Sequence, residues 1–184
     1  ALGRHRARKE RPELKNGHAH IPEFGKKFDL RALDPGDSNG YSREEADAEI
    51  LSLRVRLNDL QNVLYADERY AMLVVLQGID TAGKDGTINS VFREVGPIGC
   101  QVSSFKVPTP EELAHDYFWR YRHQMPEKGH IKIFNRSYYE SVLVERVKKI
   151  VPKETWERRY QDINELEDYL VRNGTIVLKF FLVI

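Results

Sequence analysis

The chain has 184 residues, 41% of them hydrophobic and 31% charged, and a formal net charge of only +1. That length suits one domain with a true apolar core, no apolar run is long enough to span a bilayer, and the opening residues lack the apolar segment of a signal peptide. Cys100 is the only cysteine, which excludes an internal disulfide and a zinc cluster, so a cytoplasmic setting is expected, with no membrane and no nucleic-acid partner.

Charge is unevenly placed. Residues 1–27 hold eight basic side chains (Arg4, Arg6, Arg8, Lys9, Arg11, Lys15, Lys26, Lys27) against Glu10, Glu13 and Glu23. This stretch reads either as a solvated, flexible arm or as an arm that attracts a polyanion. His5, His18 and His20 have no metal-ligand spacing. Residues 28–41 are turn-forming, with Asp34-Pro35-Gly36-Asp37-Ser38-Asn39-Gly40 reading as a linker. Ser42-Arg43-Glu44-Glu45 has the form of a capping box, and Ala46, Ile50, Leu53, Leu57, Leu60 and Leu64 then mark an amphipathic helix to about Ala66. The stripe fits packing on its own domain, or a coiled-coil seam.

The apolar run Leu73-Val74-Val75-Leu76 leads into Gln77-Gly78-Ile79-Asp80-Thr81-Ala82-Gly83-Lys84-Asp85-Gly86. A strand, two spaced glycines, a lysine and a helical pattern (Ile88, Val91, Phe92, Val95) form the layout of a phosphate-binding P-loop. Backbone N–H groups and the helix dipole converge there on phosphate oxygens, and Lys84 adds a point charge. Asp85 stands where most such loops place a Ser or Thr on Mg²⁺. It is either a group supporting the metal or an acid favoured by the helix N-terminus.

Further strands are predicted over 102–107, 131–134 and 175–182, and helices over 84–95, 111–123, 138–150 and 153–173. Thr109-Pro110 caps the second of these helices and Asn173-Gly174 stops the last. Cys100, beside Gly99 and the second strand, reads as a small core filler. Alternation of apolar strands with helices implies an α/β fold, a three-layer sandwich whose parallel sheet is covered on both faces. The expected organisation is a basic arm over 1–27, a linker and helix over 28–67, and a P-loop core over 68–184. Because the chain closes on a central-looking strand, a further C-terminal part is expected to be missing.

A second loaded segment is Phe134-Asn135-Arg136-Ser137-Tyr138-Tyr139-Glu140. It lies at a strand's C-terminal end, where α/β sheets bind ligands. Many P-loop enzymes carry an aspartate near Mg²⁺ at this point. Asn135 can coordinate or hydrogen-bond without charge, or simply cap the next helix.

Four ordered motifs now stand together: Gly78-x-Asp80-x-x-Gly83-Lys84-Asp85-Gly86, Ser104-Phe105-Lys106-Val107-Pro108-Thr109-Pro110-Glu111-Glu112, His115-Asp116-Tyr117-Phe118-Trp119-Arg120 and Phe134 to Glu140. The series resembles polyphosphate kinase family 2, and Asn-Arg-Ser followed by Tyr-Tyr-Glu is most similar to its class III members. The resemblance implies a thymidylate-kinase-like P-loop kinase fold with a basic lid that this chain does not reach. It implies transfer of a terminal phosphoryl group from inorganic polyphosphate to AMP or ADP, with GDP as a further acceptor, dependent on Mg²⁺ (or Mn²⁺), in a homo-oligomer (dimer or tetramer).

It also assigns roles. Asp80, Lys84, Asn135 and Arg136 are the catalytic candidates, with Asp80 and Asn135 toward the metal. Gly78, Ala82, Gly83, Lys84, Asp85, Gly86, Lys106 and Arg120 are expected on polyphosphate, and Arg136 and Glu140 on the nucleotide. Trp119, Tyr138 and Tyr139 wall a base pocket or pack in the core. Two other functions fit the residues: an ATP-dependent nucleotide or small-molecule kinase, and a non-catalytic P-loop module that binds polyphosphate.

Overall fold

The computed structural model describes residues 21–22, 26–38, 40–79, 81–147 and 151–183. The basic residues 1–20, and Asp80 in the loop, lie outside the described residues. The elements run α1 (Arg43–Asp67), β1 (Ala71–Gly78), α2 (Lys84–Val91), β2 (Cys100–Ser104), α3 (Pro110–Leu113), α4 (Trp119–Arg122), β3 (Ile131–Asn135), α5 (Glu140–Val147), α6 (Lys153–Arg172) and β4 (Thr175–Leu182), after a short 3₁₀ turn at Leu30–Ala32. Strands β2-β3-β1-β4 form one sheet in that order, with parallel pairing throughout.

Strand β1 is central, and its unbroken apolar run is what burial on two faces requires. Leu73 and Val75 pack with Phe134, Tyr138, Val142, Ile163 and Leu170 on the side of α5 and α6. Val74 and Leu76 face the other way, with Ile88, Ile131 and Ile133, and Leu64 of α1 and Phe92 close that layer. Each such side chain, fully buried, contributes about 1.5–3 kcal/mol. The two layers therefore fix β1, and with it the loop that leaves its end. Among the described residues, no helix is long and apolar enough to cross a membrane.

The expectation of a sheet covered on both faces holds for β1 and β3 and fails at β4. Register sets Ile176, Leu178 and Phe180 beside Met72, Val74 and Leu76, yet they stay 41%, 39% and 46% exposed. Three boundaries also differ from the sequence pattern, two for a tertiary reason and one for a local one. Helix α2 stops at Val91 rather than Val95, where Arg54 of α1 donates to the Ser90 carbonyl that a longer helix would use. Strand β2 covers Cys100–Ser104 because its partner β3 ends opposite Ser104, at Asn135. The helix expected over 111–123 is two short ones. The Asp116 carboxylate accepts from the Phe118 amide at 3.0 Å, a local bond that competes with helix continuation. The capping box expected at Ser42/Glu45 forms, and the N-cap expected at Thr109 forms as part of a second box, closed by Glu112.

Candidate active site

Parallel pairing puts every strand's C-terminal end along one edge of the sheet. Leu76 and Ser104 lie in register with Asn135 from either side, and Gly78 lies beside Leu182. The loop after β1 and the turn after β3 therefore leave the sheet as neighbours, at the position where open α/β sheets take their ligands.

Gly78 is needed for close approach: a Cβ there would sit 2.8 Å from the Leu182 carbonyl oxygen. Gly83 is needed for its backbone, at φ 68° immediately before α2. Ala82 is fully buried under the loop. Lys84 is 6% exposed, and its ammonium donates to the Gly78 and Ile79 carbonyls at 3.0 and 2.6 Å. Two of its three N–H bonds thus tie the loop to the base of α2. Asp85 lies in the first turn of α2, where an acid meets the positive helix end. Its Oδ1 accepts from the Asn135 amide at 2.5 Å, joining the loop to the end of β3. Gly86 is exposed, with open space where a Cβ would be.

The turn after β3 is held hard. Arg136 has φ 64°, one of two non-glycine residues at positive φ among those described. Its amide donates to the Leu76 carbonyl at 3.1 Å, which continues the β3–β1 ladder into the turn. A left-handed arginine costs about 1–2 kcal/mol and persists only where its surroundings over-determine it. Gln77, 6% exposed, supplies part of that constraint: its amide donates to Glu140, and its carbonyl oxygen accepts from Ser137 at 3.3 Å.

Two predicted basic residues sit differently. Lys106 is exposed just past the end of β2, on the loop's side of the sheet. Arg120 is turned inward. Its side chain is 11% exposed, its Nε lies 3.2 Å from Glu112, and its guanidinium stacks over the Phe105 ring at 5.2 Å. Of the aromatic candidates, Tyr138 is a core residue with no exposure, and Trp119 stacks on His115 and meets His123 at a tilt.

Sequence reasoning missed Gln77, Glu167 and Lys179. Glu167 is 9% exposed and accepts from both the Tyr138 and Tyr139 hydroxyls at 3.0 Å, while Lys179 donates to it at 2.5 Å. Burial, with the carboxylate beside it, raises the Tyr138 phenol well above its ordinary range. Burial pulls the Lys179 ammonium down, but its bonds to Glu167 and Tyr139 outweigh that and leave it raised. The available signal was a carboxylate inside the apolar stripe Ile163–Glu167–Leu170, matched by a lysine inside the apolar strand β4.

For a cation, the described residues offer oxygens rather than a preformed cluster: no group of three His, Cys, Asp or Glu side chains converges among them. The Asp85 carboxylate and the Asn135 carboxamide, held together beside the loop, are the hard oxygen donors that Mg²⁺ accepts.

A parallel sheet with a lysine-bearing glycine loop at its C-terminal edge defines the P-loop class of α/β proteins. Within that class, the family model for polyphosphate kinase 2 matches residues 40–184, and the chain belongs to the polyphosphate kinase 2 family. It is 50% identical over 158 residues to an AMP/ADP-polyphosphate phosphotransferase of Meiothermus ruber, covering 85% of this chain and 59% of the relative. It is 44% identical over 171 residues to an ADP-polyphosphate phosphotransferase of Rhodopseudomonas palustris, covering 86% of this chain and 59% of the relative. The crystal structure of polyphosphate kinase 2 from Arthrobacter aurescens TC1 superposes with a TM-score of 0.83 at 37% identity, over 87% of this chain and 59% of that one. The chain thus spans 59% of the length of these relatives.

Proposed function

We propose that this chain is the P-loop core of a polyphosphate-dependent nucleotide kinase, which transfers a terminal phosphoryl group from inorganic polyphosphate to AMP or ADP. The observation that carries the reading is the meeting of three fixed groups at one sheet edge: Lys84 on its loop, Asn135 bonded to Asp85, and Arg136 in a left-handed turn. Phosphoryl transfer needs little covalent help and much placement of charge. Lys84 keeps one N–H for a phosphate oxygen, and the α2 N-terminus adds its backbone donors. Arg136 offers a planar fork that suits phosphate, and Lys106 extends the positive edge beyond the loop. Asp80, Asp85 and Asn135 would hold Mg²⁺, which supplies neutralisation of the phosphate charge as it shifts. Glu140, fixed by Gln77, faces the same turn and is assigned to the acceptor nucleotide. Residues 68–184 form the core of this reading and 28–67 its supporting linker and helix. A cytoplasmic setting suits the free thiol of Cys100. Leu53, Leu60 and Val63, exposed on α1, supply apolar surface for a homo-oligomer.

The names of the relatives support polyphosphate as donor over ATP. The deciding experiment incubates the protein with Mg²⁺, AMP or ADP, and either long-chain polyphosphate or ATP, and follows ADP and ATP by chromatography. Formation of ADP from AMP with polyphosphate alone is the expected result. Transfer from ATP only would make this a conventional nucleotide kinase, and binding of polyphosphate without turnover would make it a binding module.

A further inference from the structure

The strained turn at Arg136 raises the question of what holds it. The two residues after Ser137 are anchored on the α6 side of the sheet. Both tyrosine hydroxyls, Tyr138 and Tyr139, end on the same oxygen of Glu167, each at 3.0 Å. The other oxygen of Glu167 takes the Lys179 ammonium at 2.5 Å, and Lys179 also donates to the Tyr139 hydroxyl at 3.1 Å. One carboxylate of α6 thereby ties the β3 turn to β4, the strand hydrogen-bonded beside β1. A carboxylate–ammonium pair in this position adds little stability over an apolar core of equal volume. What it adds is geometry, since a fully satisfied polar network admits one arrangement of its members.

We infer that Glu167 is a positioning residue, which acts through Tyr138 and Tyr139 to hold Arg136 in the left-handed conformation that aims it at the phosphate site. The role of Arg136 in this statement rests on the polyphosphate-kinase reading; the mechanical link between Glu167 and the turn does not. Glu167 itself touches no substrate. Its carboxylate faces the two phenols and one ammonium named above.

The test uses the whole chain, with Glu167→Gln, Arg136→Gly and the double variant. Glutamine keeps the size of the side chain but cannot accept from three charged or phenolic donors at once. The first readout is native-state hydrogen exchange, which needs no activity. The Arg136, Tyr139 and Glu140 amides, bonded to Leu76, Ser137 and Ser137, should exchange at least about tenfold faster in Glu167→Gln, while the amides of β1 do not change. The second is a double-mutant cycle on kcat with polyphosphate and AMP. Glu167→Gln alone should lower kcat at least about tenfold with little change in KM, and should add almost nothing once Arg136 is glycine. Unchanged exchange in the turn, or full additivity on kcat, overturns the inference. An inactive wild type together with accelerated exchange would instead keep the link and refute the polyphosphate reading. If Glu167→Gln fails to fold, Tyr139→Phe, which removes one of the three donors, carries the same two measurements.

Discussion

Replacing Arg136 by glycine and by alanine separates two things that one side chain does. At φ 64° an L-residue bears roughly 1–2 kcal/mol of steric cost. Alanine keeps that cost, whereas glycine escapes it but loses about 0.5–1 kcal/mol to the greater freedom of the unfolded chain. The difference leaves Arg136→Gly more stable than Arg136→Ala by about 0.5–1 kcal/mol. For a chain of this size that corresponds to about 1–4 °C in Tm. Both variants lack the guanidinium, and loss of one preorganised electrostatic group typically lowers the rate about 10²–10³-fold. The expectation is therefore that the more stable of the two is no more active. Thermal unfolding followed by circular dichroism gives the first half, and initial rates of ADP formation from polyphosphate and AMP give the second. An alanine variant that melts at or above the glycine variant would refute the strained backbone. A glycine variant that turns over near the wild-type rate would show that Arg136 serves the turn alone. Arg136→Lys, which keeps charge without the fork, should fall between wild type and alanine in rate.

The remaining predictions concern the loop, the donor and the thiol. Lys84→Ala and Asp80→Ala should each lower phosphoryl transfer by about a hundredfold or more; near-normal rates would mean the loop is misassigned. Gly86→Ala has open space for its methyl and should stabilise α2 by about 0.5–1 kcal/mol in thermal melts, yet slow polyphosphate use if a phosphate chain passes there. Raising salt should weaken polyphosphate use more steeply than any use of ATP, because a long polyanion lies along charges beyond the loop such as Lys106; equal slopes would argue against polyphosphate. Burial raises the Cys100 thiol to about 11, so at pH 8 the folded protein should alkylate about a hundredfold more slowly than a free thiol, with the rate rising tenfold per pH unit up to that value. Fast labelling at pH 8 without denaturant would contradict the burial.

Much of the fold was legible because it is written in local pattern. The unbroken apolar run of β1, the capping box at Ser42, the N-cap at Thr109 and the Asn173-Gly174 stop all act within a few residues of where they stand. Two of the elements that moved have limits set by a distant partner, while the split of the 111–123 helix follows a local bond at Asp116. Arg54 ends α2 from 36 positions away, and β2 is as long as β3 allows. The loop and the β3 turn were visible as motifs, but the left-handed φ of Arg136 was not, since nothing in Asn-Arg-Ser demands it. Arg120 shows the converse. Its motif position gave it a role toward polyphosphate but did not show that Glu112 and the Phe105 ring lie against it. Charge alone does not report which way a side chain turns.

The arrangement of fasteners explains why the site can be built on so little chemistry. The ends of β1 and β3 at this edge are fixed by separate devices: Lys84 closes the loop on its own carbonyls, Asp85 holds Asn135, and Leu76 with Gln77 holds the turn from Arg136 to Glu140. Electrostatic catalysis gains from this because groups already in place do not have to be reoriented as charge moves in the transition state. Asn135 fits the same logic. A carboxylate there would stand beside Asp85, two like charges in hydrogen-bond contact, and one of them would have to be protonated or neutralised for the proposed polyanion to bind. A carboxamide keeps the bond to Asp85 without adding a second negative charge, which is what the proposed binding of a polyanion by Lys84, Lys106 and Arg136 would require.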